Sequence, residues 1–130
     1  MANAQTDNST SFETMLNIGN NLDRLKRYNE AIPYYQKSLA INSTNTNALN
    51  SIANDLDTLK RYNEAIPYYQ KSLAINSTNV NTLNDIANDL GNLRRYNEAI
   101  SYYNKVLALD PNNIIALRGK ADNLDLKNKR

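Results

Sequence analysis

The chain has no cysteine, no histidine and no tryptophan. Without cysteine it can build neither a disulfide nor a thiolate metal site. Without histidine it lacks the commonest metal ligand and general base, which removes most zinc sites and Ser-His or Cys-His catalysis. Glycine and proline number only three each, so turn punctuation is sparse and long helices are favoured over loops. The formal net charge is only +2. That is too little for an electrostatic nucleic-acid footprint, and no nucleic-acid partner is expected. Mean hydropathy is -0.68 and there is no long apolar run, so neither a membrane span nor a membrane partner is expected. The first eleven residues, MANAQTDNSTS, lack the basic and apolar segments of a secretory signal. These absences together point to a cytoplasmic location, and no cofactor is expected.

What the chain does have is 41% hydrophobic residues, nine tyrosines and 24 asparagines. It also repeats. RYNEAIPYYQKSLAINSTN fills residues 27–45 and recurs letter for letter at 61–79, and a drifted copy, RYNEAISYYNKVLALDPNN, fills 95–113. The period is 34 residues, the mark of a stacked repeat array.

Within each period the apolar residues fall at helical spacing. Phe12, Met15, Ile18, Leu22 and Leu25 form one stripe, then Ala31, Ile32, Tyr35, Ser38, Leu39 and Ile41 form a second. The next period repeats the pair at Leu49 to Leu59 and Ala65 to Ile75, and the third at Leu83 to Leu93 and Ala99 to Leu109. Asn29 is the expected N-cap of the second helix, and Pro33 is expected in or beside its first turn, because an interior proline costs about 3 kcal/mol. The run Asn42, Ser43, Thr44, Asn45 is expected to end one helix and cap the next. Each helix alone is short enough to be marginal in water, so the stack is the folding unit.

This frame divides the chain into a loose polar head at 1–11, repeats at 12–45, 46–79 and 80–113, a capping helix at 114–126 and a frayed tail at 127–130. In the cap, Leu117, Ala121 and Leu124 fall where Leu83, Ala87 and Leu90 fall, while Lys120 and Lys127 replace apolar residues. One face is expected to pack on the third repeat and the other to be soluble.

The pattern resembles the tetratricopeptide repeat (TPR) family. The family's signature places are taken by Met15, Ile18-Gly19, Leu22, Ala31, Tyr35 and Ser43, then by Leu49, Ile52-Ala53, Leu56, Ala65, Tyr69 and Ser77. In the third repeat they are Leu83, Ile86-Ala87, Leu90, Ala99, Tyr103 and Pro111. Leucine or methionine stands for the usual tryptophan, leucine for the tyrosine of the first helix, and serine twice for proline. The resemblance implies an all-α solenoid, a right-handed superhelix of antiparallel helix pairs. Its first (A) helices would line a concave face that binds an extended peptide or a partner helix.

Carried onto this sequence, the family's groove places include Asn20 and Arg24, then Asn50, Asn54 and Asp57, then Asn84, Asp85 and Asn88, and Arg118 in the capping helix. Asn20, Asn54 and Asn88 are in register, and a carboxamide can pair with both the C=O and the N–H of a peptide unit. The competing reading is that this chain uses asparagine at any polar position. Some family members clamp an acidic chaperone tail with cations, but the matching places here hold Leu16, Ser51, Asn81 and Asp85. The resemblance therefore implies a protein or peptide ligand that is neutral to mildly basic. The nine tyrosines read as inter-repeat packing, the N-x-Ser/Thr triplets at Asn8, Asn42 and Asn76 as chance, and Asp55/Asp57 or Asp85/Asp89 as too few ligands for catalysis or metal. A non-enzymatic interaction scaffold is the expected function. The alternative is a self-assembly module, a homo-oligomer built by repeat stacking or helix exchange.

Overall fold

The computed structural model describes residues 4–129, with side chains from residue 11 onward. Among the described residues there are seven α-helices and no strand. They are α1 (Ala4–Arg24), α2 (Tyr28–Ile41), α3 (Thr46–Thr58), α4 (Tyr62–Ile75), α5 (Val80–Asn92), α6 (Tyr96–Leu109) and α7 (Ile114–Asn128). The chain separates into two compact units, Met1–Arg61 and Tyr62–Arg130, with the division inside the second repeat.

In the first unit α2 packs on both α1 and α3, which also touch each other. Connections this short make successive helices antiparallel neighbours. Ala31, Ile32 and Tyr35 of α2 are buried, as are Ala48, Leu49, Ile52, Ala53 and Leu56 of α3. In the second unit α5 lies between α4 and α6, and α7 packs on α6 and α5. Its core contains Leu83, Ile86, Ala87, Leu90, Ala99, Tyr103, Val106 and Ala116. Full burial of a large aliphatic side chain stabilises by about 1.5–3 kcal/mol, so these stripes hold helices that could not stand alone.

The helix ends depart from the sequence reading in an instructive way. α2 begins at Tyr28, not Asn29, and no side chain caps it. The chain is turned earlier, at Lys26, whose φ is 60°. There the Lys26 N–H donates to the Asp23 carbonyl at 2.8 Å and the Arg27 N–H to the Leu22 carbonyl at 2.9 Å. This pair of bonds is a Schellman motif with lysine in the left-handed position usually given to glycine. Lys60 (φ 61°) and Arg94 (φ 64°) do the same in the next repeats. Because the turn is set there, Pro33 and Pro67 lie inside α2 and α4, beyond the first turn. The A helices, by contrast, start as expected. The side chains of Asn45, Asn79 and Asn113 accept from the N–H groups of Ala48, Thr82 and Ala116 at 2.9, 3.1 and 2.9 Å.

Three other expectations are corrected. The polar sequence of residues 1–11 predicts a loose head, but α1 starts at Ala4. No glycine or proline precedes Gly19, so the helix propagates back from its packed part. Residues 1–3 and 130 lie outside the described residues, as does the side chain of Asn8. Leu25 and Ile41, assigned to buried stripes, are exposed, as are Ile75 and Leu109, because each sits where its helix is already turning away. In α7, Ala116 and Asn123 are the buried residues, while Leu117 and Leu124 are 49% and 39% exposed. Their counterparts Leu83 and Leu90 are 3% and 2% exposed in α5, which packs on three helices, α4, α6 and α7, whereas α7 packs on two, α6 and α5. The outer side of α7 is thus an apolar stripe of Ile114, Leu117 and Leu124 around Ala121 rather than a polar one.

Candidate functional site

The tyrosine at the middle of each second helix is the floor of the candidate site. Tyr35 is fully buried. Gly19 lets its ring approach α1, since a Cβ there would come within 2.6 Å of Tyr35 Cε1. The Tyr35 hydroxyl lies 2.6 Å from Asp23 Oδ2 and 2.9 Å from Asn20 Oδ1. A phenol has a single proton, which goes to the nearer carboxylate; turning the Asn20 amide over would let its NH2 donate to the hydroxyl. Burial and the Asp23 bond hold the Tyr35 phenol far above its ordinary range, with Ser51 acting the other way.

Asp55 of α3 belongs to the same cluster. It is 3% exposed and its Oδ2 has no hydrogen-bond partner. Burial, then the Asp23 carboxylate beside it, push its pKa up to about 9. Asp55 is therefore protonated at neutral pH, the state that two adjacent carboxyls reach by sharing a proton. The sequence reading had weighed Asp55 with Asp57, its neighbour along the helix; the fold pairs it with Asp23 of another helix.

Of the groove residues in this unit, Asn20, Arg24 and Asn54 are exposed, and Asn50 and Asp57 are partly buried. Arg24 donates to Asn21. The Asn54 carbonyl accepts from Thr58 Oγ1 at 2.9 Å.

In the second unit Asn88 and Arg118 are exposed and Asp85 is half-buried. Asn84, placed by sequence in a second amide row, is only 5% exposed and donates to Asn113 Oδ1 at 3.2 Å. Its own Oδ1 has no partner. Three adjoining depressions border Asn88 and Tyr103. One of about 410 Å³ adds Asn81, Asn84, Asp85 and Ile115. A second of about 290 Å³ adds Ile114, Ile115, Arg118, Gly119 and Asp122. A third of about 200 Å³ runs between α5 and α7. Burial and then the carboxylates of Asp122, Asp85 and Asp89 raise the Tyr103 phenol above its ordinary range.

The sequence reading places Gly119 and Asp122 at groove positions of the capping helix but gives Tyr103 and Asn123 no part in a site. The signal was there, as breaks in the 34-residue register, but its meaning depends on which helices meet. It also missed an outer depression of about 480 Å³ on α4 and α6, lined by Leu73, Tyr102 and Lys105 among others. In each unit lysines lie over tyrosine rings of the second helices, at 5.2 Å for Lys37–Tyr34 in the first and at 5.5 and 4.5 Å for Lys71–Tyr68 and Lys105–Tyr102 in the second. Among the described residues no group of three His, Cys, Asp or Glu could hold a metal, and no helix is long and apolar enough to cross a membrane.

The family model for the tetratricopeptide repeat matches residues 10–78 and, one period on, 44–112. The chain belongs to the tetratricopeptide repeat family. Its fold is shared by several solved TPR domains. The Arabidopsis OM64 TPR domain superposes with a TM-score of 0.81 at 24% identity, covering 92% of this chain and 98% of that one. The first TPR of Spaghetti (RPAP3), bound to the HSP90 peptide SRMEEVD, gives 0.83 at 22% identity, covering 93% and 96%. The second TPR domain of human RPAP3, in complex with the HSP70 peptide SGPTIEEVD, gives 0.81 at 19% identity, covering 90% and 98%. These likenesses extend the TPR fold over nearly the whole chain. No curated protein sequence matched the chain.

Proposed function

We propose that this TPR chain is a non-catalytic scaffold that holds an extended peptide or a partner helix against its A helices. The observation that carries the reading is Asn88: an exposed carboxamide bordering all three depressions beside Tyr103. Its amide can accept from and donate to one peptide unit without regard to side chain. Asn20 and Asn54 are also exposed, in the same register, on the first unit. TPR domains of similar fold hold chaperone peptides, which supports a peptide as the class of ligand. Those peptides end in acidic residues, whereas Asp85 and Asp122 border the depressions here. A neutral to mildly basic ligand fits this face better.

A random peptide library presented to the chain tests the reading, beside Asn54→Ala and Asn88→Ala made singly. Peptides are expected to be selected, and the Asn88 variant to lose them while its helical circular dichroism is unchanged. Selection indifferent to both asparagines would overturn the amide reading. A preference for acidic C-termini would overturn the charge reading.

The stripe on α7 favours a second reading, self-assembly. Ile114 and Leu117 are 69% and 49% exposed, and Leu117 and Leu124 flank the small Ala121. Two copies could set α7 against α7 antiparallel, with Leu117 facing Leu124 of the other copy across a two-fold axis. Sedimentation equilibrium should then show mass rising with concentration, and Leu117→Glu should abolish the rise. A constant monomer mass would dismiss it.

A further inference from the structure

The surroundings of Tyr35 and Tyr103 differ at corresponding places. Tyr35 is ringed by Asn20, Asp23, Ser51 and Asp55. Two periods on, the same places hold Asn88, Gly91, Gly119 and Asn123. Asp23 and Ser51, two of the three side chains that bond the Tyr35 hydroxyl, are thus replaced by glycine, while the third, Asn20, is kept as Asn88. No hydrogen bond holds the Tyr103 hydroxyl among the described residues; it feels only burial and the carboxylates of Asp122, Asp85 and Asp89.

The loss leaves space. The depression of about 200 Å³ is bounded by Asn88, Gly91, Tyr103, Gly119, Asp122 and Asn123, with Asn92 and Leu126 at its margin. Gly119 admits the Tyr103 ring, since a Cβ there would stand 2.3 Å from Cζ. Asn123 is 6% exposed, and its Nδ2 donates to the Gly119 carbonyl at 2.7 Å. That bond fixes the amide and leaves Oδ1 without a partner. Oδ1 is directed at Gly91, 2.8 Å from where a side chain would begin. A buried amide oxygen left unpaired costs about 1–3 kcal/mol, so it is poised to accept from a ligand.

The unengaged acceptors here are Asn123 Oδ1, the Tyr103 hydroxyl, the Asn88 amide oxygen and the Asp122 carboxylate. No lysine or arginine borders this depression. Arg118 borders the adjoining one and has no ion pair among the described residues.

We propose that the depression between α5 and α7 is a subsite for a guanidinium, the side chain of an arginine in the bound peptide. A guanidinium is planar and presents five N–H donors in a fixed fork, which suits several acceptors converging from two helices and a tyrosine. The negative charge of Asp122 supplies the electrostatic complement. The first repeat has no such vacancy at Tyr35, where Asp23 already occupies the hydroxyl. This subsite rests on the peptide-binding reading and names the chemistry it selects.

The test is an NMR titration of the full chain with acetyl-Ala-Ala-Arg-Ala-Ala-amide and with the same peptide carrying citrulline, the neutral isostere of arginine. The arginine peptide should shift the side-chain amides of Asn88 and Asn123 and bind roughly fivefold more tightly than the citrulline peptide, the upper scale of an exposed ion pair. Asp122→Asn, at an exposed position, should remove most of that difference without changing the spectrum elsewhere. Equal binding of the two peptides at these residues would overturn the guanidinium subsite and leave the peptide-binding reading standing. Shifts confined to other residues would also overturn the subsite. If neither peptide shifts any A-helix residue, both readings fall.

Discussion

Replacing Asp55 by asparagine should abolish most of the pH dependence of folding between pH 5 and 8. Asp55 is 3% exposed, and its pKa is pushed up to about 9 by burial and by the Asp23 carboxylate. In the unfolded chain an aspartate titrates near ~3.9. Between these values the folded state keeps a proton that the unfolded state has released. Stability is therefore fullest below the unfolded value and falls as pH rises toward the folded one. Each pH unit in that window costs up to about 1.4 kcal/mol, an appreciable part of the ~5–15 kcal/mol that holds a typical domain. Asparagine keeps the shape, carries no proton to lose and can still donate an N–H to Asp23. The chain has no histidine, so hardly any other side chain titrates in this window to blur the result. Urea unfolding followed by circular dichroism at pH 5, 6, 7 and 8 should show wild-type stability falling while Asp55→Asn stays level and is the more stable at pH 8. Parallel curves would refute the reasoning.

Three further outcomes are expected. Tyr35→Phe removes the donor to Asp23 at 2.6 Å and should destabilise by about 2 kcal/mol, the scale of a hydrogen bond to a charged group, measured by urea unfolding. Lys26→Gly, Lys60→Gly or Arg94→Gly places glycine where φ is 60–64° and should each raise the unfolding midpoint, by about 1 kcal/mol in stability. Asn79→Ala deletes the cap on the Thr82 N–H and should cost about 1 kcal/mol, whereas Asn29→Ala, at a residue that does not cap α2, should cost little.

Much of the fold was legible because it is written locally. Burial of one face imposes helical spacing, and the 34-residue period repeats that spacing in phase, so helix number, helix type and most of the core follow from Ile52, Leu56, Ile86 and their kin. The A-helix caps were legible for the same reason: Asn45 and Asn79 act three residues away. The starts of the second helices were not, because a lysine or arginine in the left-handed conformation carries no mark in the sequence. Asn29 looked like a cap only for want of that knowledge. Among the groove candidates, the exposure of Asn20, Asn54 and Asn88 follows from register. The burial of Asn84 does not, since it depends on Asn113, 29 residues away, reaching its amide.

Sequence alone was enough to establish an array of TPR helix pairs, free of histidine and cysteine chemistry, with amides in phase along the A helices. Spacing along one chain encodes which face each helix must bury, and repetition encodes that it does so again. Tertiary structure alone brought Asp23 of α1 to Asp55 of α3, stripped the Tyr103 hydroxyl of the partners that Tyr35 keeps, and left the leucines of α7 exposed. Each of those outcomes depends on side chains from separate helices meeting, or on a helix lacking a neighbour. Charge, desolvation and unfilled space arise only at such meetings, so no local pattern could announce them.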